Sequence, residues 1–468
     1  MGYNLDDTRK NLADVFETGL LSGTIHYFDT HEFVEIIDFF LDQNETVKAE
    51  RAIKNALTQH PHSVAIQIRK ADWLFETNML EEAEEIIDDI LEFEKDNTEA
   101  NELKGDILIQ RESQKEGIIF LQKAIIGAED KGELYSKIGV ELMQIEELEL
   151  ALKFFFKALD EDLFDESSLY NVTYCYEFLN QQDEAISFLQ KYINKSPYSQ
   201  IAWHQLGLQY KTQGNFKRAI WAFDYATVVD DAFLGAFFEK AKCHEEIEEY
   251  KEAIEIYKKA QKMADPTAWA YHRLGDNYLK LEDAEQALVN YFNAIHEDPM
   301  HAGSWYKIAL LYSLDSQVDR SLEYAERAVD IEYGNIEYSS YLARLYMRLS
   351  MFDKADRVYE DLISLEVDDA NIWIEYSILL KHLELENDSI DILLRSLSYF
   401  PENAEILYRL SGMLFGTDRD VEAVDFLREA LTLDFSKKEI LKMDYPLVYN
   451  NDVVQDMIFA FKHHDKFF

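Results

Sequence analysis

QIAWHQLGLQYKTQGNFKRAIWAFDYATVVDDAF, residues Gln200 to Phe233, reads as two amphipathic helices joined by a turn. Trp203, Leu206, Gly207 and Tyr210 keep the i, i+3, i+4, i+7 spacing of one helical face. Ala219, Phe223 and Ala226 form a face on a second helix. Gly214 stands between them, where a positive φ costs glycine least. Gly207 and Ala219 are small, so two backbones can approach while Trp203, Tyr210 and Phe223 fill the space beside them. One such hairpin cannot bury both its faces, so it needs similar neighbours.

Steps of 34 residues outward from this stretch fall on Thr30, Val64, Thr98, Gly132, Glu166, Gln200, Leu234, Ala268, Ala302, Ile336, Ala370 and Ala404. These twelve copies end near Lys437 without an insertion or deletion. The twentieth position is small in every copy, from Ala49 and Ala83 through Gly117 and Ala219 to Ser389 and Ala423. The eighth is small in ten copies, with Ile37 and Thr173 departing. Pro61, Pro197, Pro299 and Pro401 share one column, where proline ends the second helix. The pattern is weakest at the start, where Gln67 and Asn101 replace the first aromatic and Lys70 and Lys104 replace leucine.

W-x2-L-G-x2-Y followed by A-x3-F-x2-A resembles the tetratricopeptide repeat (TPR). The resemblance implies an all-α, right-handed superhelical solenoid of about twelve helical hairpins. We expect a leader over 1–29, partly ordered, the array over 30–437, and a capping helix with a tail over 438–468. The leader should hold a short helix over Leu12–Leu21, broken by Gly19, Ser22 and Gly23. The final helix should run from Asp452 to Lys466, using Val453, Met457, Phe459, Ala460 and Phe461 to cover the last hydrophobic face.

In this family the first helices line an inner groove that holds peptides. Carried onto this chain, the groove positions are Tyr170, Tyr174, His204, Leu208, Phe238, Trp269, His272, Tyr306 and Leu310. These columns lie outside the core of each hairpin, so hairpin packing alone does not demand aromatic residues there. The family's carboxylate-gripping version needs lysine and asparagine. Asp38, Asp72, Asp106 and Asp276 stand at one of its positions instead, which argues against it.

The net charge is −45, from 91 acidic and 46 basic residues. Such a field repels phosphate backbones and favours partners with basic residues. Nucleic acid is therefore not an expected partner. No apolar targeting segment or run of about 18 apolar residues occurs, which points to a cytoplasmic protein without membrane insertion. Cys175 and Cys243 are 68 residues apart, two repeats, which predicts two unbridged thiols.

No P-loop, G-x-G-x-x-G, C-x-x-C, H-E-x-x-H or G-x-S-x-G motif appears, so no catalytic residue, metal site or cofactor is expected. His463 and His464 beside Asp465 read as a solvated tail. The acidic runs at Glu81–Asp89, Asp160–Asp162 and Glu245–Glu249 read as solvated faces, with docking of basic segments as the functional alternative. The leading reading is a non-catalytic scaffold or adaptor that binds a peptide segment or helix in an acidic-rimmed aromatic groove, within a larger complex. The alternatives are a sensor whose solenoid flexes on binding peptide, and a chaperone or assembly factor.

Overall fold

The computed structural model describes residues 5–23, 26–264 and 267–464, and every element among them is helical. Contacts divide the chain into two compact units, Met1–Cys243 and His244–Phe468, with the division inside the helix Leu234–Glu246. In both units the helices come in pairs, a first helix A and a second helix B.

The A helices of the first unit open at Thr30, Val64, Thr98, Lys131, Glu166 and Gln200, and those of the second at Ala268, Ala302, Ile336, Ala370 and Ala404. Side chains at the repeat junctions fix these starts. Asp29, Ser63, Asn97, Asp165 and Ser199 each accept a hydrogen bond from a backbone N–H in the first turn that follows. Thr267, Asn335, Asp369 and Asn403 do so in the second unit. The B helix after Gln200–Thr212 is Phe216–Val229, so the opening hairpin is formed as the sequence suggests.

The turn from A to B repeats almost unchanged. The residue fifteenth in each copy is left-handed: Asn44, Asn78, Glu112, Glu146, Asn180 and Gly214 in the first unit, then Glu248, Glu282, Ser316, Ser350 and Glu384. The next N–H reaches back to close the helix, as from Asn215 to the Tyr210 carbonyl at 2.8 Å and from Glu147 to that of Leu142 at 2.9 Å. Only Gly214 in this column is a glycine. The last pair turns earlier, at Gly416, after the shorter helix Ala404–Leu414.

Within a hairpin, Gly139 and Gly207 lie under the rings of Phe155 and Phe223, and Gly275 under that of Tyr291. A Cβ on Gly207 would stand 2.5 Å from the Phe223 ring. The divergent third copy keeps its packing by substitution of chemistry. Trp203 donates from its indole to the Pro197 carbonyl at 2.9 Å, and Asn101 donates from its amide to the equivalent Lys95 carbonyl at 2.9 Å. Lys104, in a leucine column, is buried and reaches Glu84 at 2.8 Å and Asp88 at 2.6 Å.

Both ends differ from expectation. The leading helix spans Leu5–Ser22 and passes through Gly19. Ala13, Phe16 and Gly19 are buried, and the Phe16 ring lies 6.1–6.3 Å from those of Phe28, Phe33 and Phe40. This packing outweighs the helix-breaking tendency of one glycine. At the other end the chain runs through short helices Glu439–Asp444 and Pro446–Tyr449 into Asp452–His464. Val454 and Ile458 are the buried residues of that last helix, with Met457 and Phe461 beside them. Val453 and Phe459 face outward. Asp465 and Lys466, and the side chains of His463 and His464, lie outside the described residues. Cys175 and Cys243 are buried thiols, and burial pushes the Cys175 thiol up to about 11.

Candidate partner-binding face

In the first unit, helix Glu166–Phe178 is capped by Asp165 and buries Leu169, Val172 and Cys175. That choice of face leaves Tyr170, Tyr174 and Phe178 outward at i, i+4, i+8. They are 54%, 37% and 60% exposed. The Tyr174 and Phe178 rings lie 4.5 Å apart, centroid to centroid. Phe178 has no place among the residues expected from the groove columns, because it stands one turn beyond them.

On the next A helix, His204 and Leu208 are half-buried. The His204 ring packs between Phe223 at 5.5 Å and Phe233 at 5.0 Å, and burial lowers its pKa. Phe238 is half-buried on the helix after that. Its neighbour Glu239 holds Lys211 at 2.6 Å and Lys242 at 2.7 Å, and these bonds keep the carboxyl's pKa low against the opposing effect of burial.

In the second unit, Trp269 and Leu310 are half-buried, and Trp269 meets the Tyr257 ring edge-on at 5.9 Å. His272 bonds the Ser304 hydroxyl at 2.9 Å, and burial pushes its pKa down to about 4. Tyr306 is only 7% exposed, lying 4.6 Å from Tyr338 and 5.5 Å from Tyr341. Packing between repeats thus places demands on the fifth-position column that packing within a hairpin does not. His272 and Tyr306 pack against the repeat that follows, and His204 packs between two rings of its own repeat. Tyr170 and Tyr174 are the exposed members of the expected set.

The acidic residues also do structural work. Asp38 pairs with Arg69 at 2.7 Å, and Asp106 with Lys137 at 2.7 Å, each tying one A helix to the next. Glu84 of the first acidic run binds Lys104 and Arg111, and Glu245 of the third binds Arg273. The solvated-face reading of these runs therefore fails for Glu84 and Glu245, which are inter-helix ion-pair partners. At Asp72 the charge of Arg69 offsets only part of the opposing effects. Burial and nearby Glu76 push its carboxyl up to about 6.

Among the described residues no group of three or more His, Cys, Asp or Glu could hold a metal ion. No described helix is long and apolar enough to cross a membrane.

Four stretches, 40–107, 167–199, 204–268 and 341–372, match profiles of the tetratricopeptide repeat. Two curated relatives share sequence with the chain. BBSome complex member BBS4 of Bos taurus is 24% identical over 148 residues, 32% of this chain and 28% of that protein. Anaphase-promoting complex subunit 3 of Schizosaccharomyces pombe is 23% identical over 208 residues, 44% of this chain and 31% of that protein. The chain thus spans under a third of either relative. Among solved structures, MamA aligns with a TM-score of 0.34 at 22% identity, covering 36% of this chain and 98% of that one. The APC/C hetero-tetramer Cut9–Hcn1 aligns with a TM-score of 0.37 at 13% identity, covering 91% and 93%. With hairpin upon hairpin opening every 34 residues and repeat profiles matching in both halves, the chain belongs to the tetratricopeptide repeat proteins, a family of protein-interaction scaffolds.

Proposed function

We propose that the chain is a non-catalytic scaffold or adaptor whose A helices take a peptide segment or helix of a protein partner. The observation that carries the reading is the exposed row Tyr170, Tyr174 and Phe178 on one helix. Rigid aromatic side chains supply large contact area at little entropic cost, and such residues dominate binding energy at interfaces. Leu208 and Phe238 extend this apolar character within the first unit. Trp269 and Leu310 are the corresponding contacts in the second, with His204, His272 and Tyr306 setting the spacing of the helices behind them. The net charge of −45 supports a partner with basic residues, drawn in by long-range attraction. Both curated relatives are by name members of multiprotein complexes, which supports a place for this chain in a larger assembly. A cytoplasmic setting is part of the same reading.

The test starts from a partner isolated by cross-linking in the protein's own cells. Tyr170→Ala with Tyr174→Ala should weaken its binding by roughly 2 kcal/mol or more, about thirtyfold in Kd. An unchanged Kd, with the variant's helical content intact, removes the aromatic row from the reading.

A further inference from the structure

The second unit holds a polar cavity of about 400 Å³ that is separate from the aromatic row. One wall is the third acidic run, Glu245, Glu246 and Glu248, with Tyr250 beyond it. The other is helix Ala268–Lys280, which presents Arg273, Asp276, Asn277 and Lys280 at i, i+3, i+4, i+7. Lys307 and Leu279 complete the lining.

Asn277 is 2% exposed. Its Nδ2 donates to the Glu245 carboxylate and, at 2.8 Å, to the Arg273 carbonyl. Both partners are acceptors, so the amide's orientation is set and Oδ1 is the atom left over. That oxygen has no hydrogen-bond partner in the protein. A buried acceptor without a partner costs stability, and it needs an explanation. A donor entering the cavity would supply the missing bond.

The charges narrow the choice. Four carboxylates and three cations line the cavity. Arg273 is already bound to Glu245, and Asp276 accepts from the Tyr291 hydroxyl at 2.7 Å. Glu246 and Glu248 stand exposed at the rim with no ion pair among the described residues. Lys280 and Lys307 also line the cavity, on flexible stems that can turn toward solvent. A guanidinium suits the Asn277 oxygen and the exposed carboxylates, while the buried Arg273 Nε–H, also without a partner, is a donor it does not serve. A guanidinium carries five N–H donors in a plane, is more weakly hydrated than an ammonium, and stacks on an aromatic face such as that of Tyr250.

We propose that this cavity is a binding site for an arginine side chain of a protein partner, with Asn277 Oδ1 accepting from the guanidinium and Glu246 and Glu248 balancing its charge. The proposal rests on the scaffold reading above and gives the partner's basic residues a specific seat.

N-acetyl-argininamide tests it on the full chain, with N-acetyl-citrullinamide as the neutral counterpart of the same shape. Argininamide should bind with a Kd of about 1–10 mM, as its size permits, and shift the Asn277 side-chain NH2 signals in a ¹⁵N spectrum. Citrullinamide should bind at least tenfold more weakly. The Glu246→Gln, Glu248→Gln double variant should weaken argininamide at least threefold. It removes two of 91 acidic residues, so a diffuse attraction to the whole chain would barely change. Asn277→Leu should abolish binding. Should that variant fail to fold by circular dichroism, the glutamine variant decides alone. Equal affinity for the two amides, or indifference to the glutamine substitutions, overturns the proposal. The probe bypasses the aromatic row. Argininamide failing while Tyr170→Ala, Tyr174→Ala still weakens the partner removes only this cavity. The reverse result removes only the row.

Discussion

Glu146 and Gly214 occupy the same turn position with φ of 61° and 71°. Glycine takes this conformation freely, whereas a residue with a Cβ gives up about 1 kcal/mol or more to hold it. Glu146→Gly should therefore raise stability by up to about 1 kcal/mol, read as a higher urea midpoint. Glu112 and Glu282 share this strained place. Asp72 makes a second case, and here pH sets the sign. An unfolded aspartate titrates near 3.8 and folded Asp72 near 6. Between those values the folded chain holds the proton more often, so stability falls as pH rises through that window. Asp72→Asn should stabilise the protein at pH 7.5 by on the order of 1 kcal/mol, allowing for partial solvent screening, with a smaller gain at pH 5. A gain independent of pH would mean that ionisation of Asp72 is not the cause.

At the scale of one helix, exposure depends on what the next repeat supplies. Tyr306 and Tyr170 share a column, yet one is buried and the other is not. Thirty-two and 35 residues beyond Tyr306 stand Tyr338 and Tyr341, which cover it. At the same offsets from Tyr170 stand Ala202 and Gln205. The 34-residue step made the helix pairs legible, because small residues at fixed places are a condition of close packing. It could not by itself say which members of an outward column are open. Comparing each position with those 32 and 35 onward carries that signal. The junction caps were equally open to reading, since Asp29, Ser63, Asn97, Asp165 and Ser199 keep the 34-residue step. The terminal helix shows the limit of composition. Its apolar residues are evident, but register decides that Val454 and Ile458 face inward while Val453 and Phe459 do not. Ile458→Ala should cost about 2–4 kcal/mol in thermal or urea unfolding, and Phe459→Ala within about 0.5 kcal/mol of nothing. Equal losses would mean the helix sits in another register.

At the scale of the molecule, the sequence suggests one array from 30 to 437, and contacts group the chain into two compact units, Met1–Cys243 and His244–Phe468. The step of 34 continues unbroken there, with Leu234 and Ala268 opening consecutive A helices. In a stack where each hairpin leans mainly on its neighbours, such a division needs no change in sequence pattern. The same neighbour-only logic lets separate stretches carry separate contacts: an aromatic row in the first unit and a mixed-charge cavity in the second. A photo-reactive phenylalanine analogue placed at Tyr174, and in a second variant at Val228 on helix Phe216–Val229, tests the functional claim directly. Both positions are exposed. The account predicts that the partner is captured from position 174 and not from 228. Capture from 228 alone would contradict it.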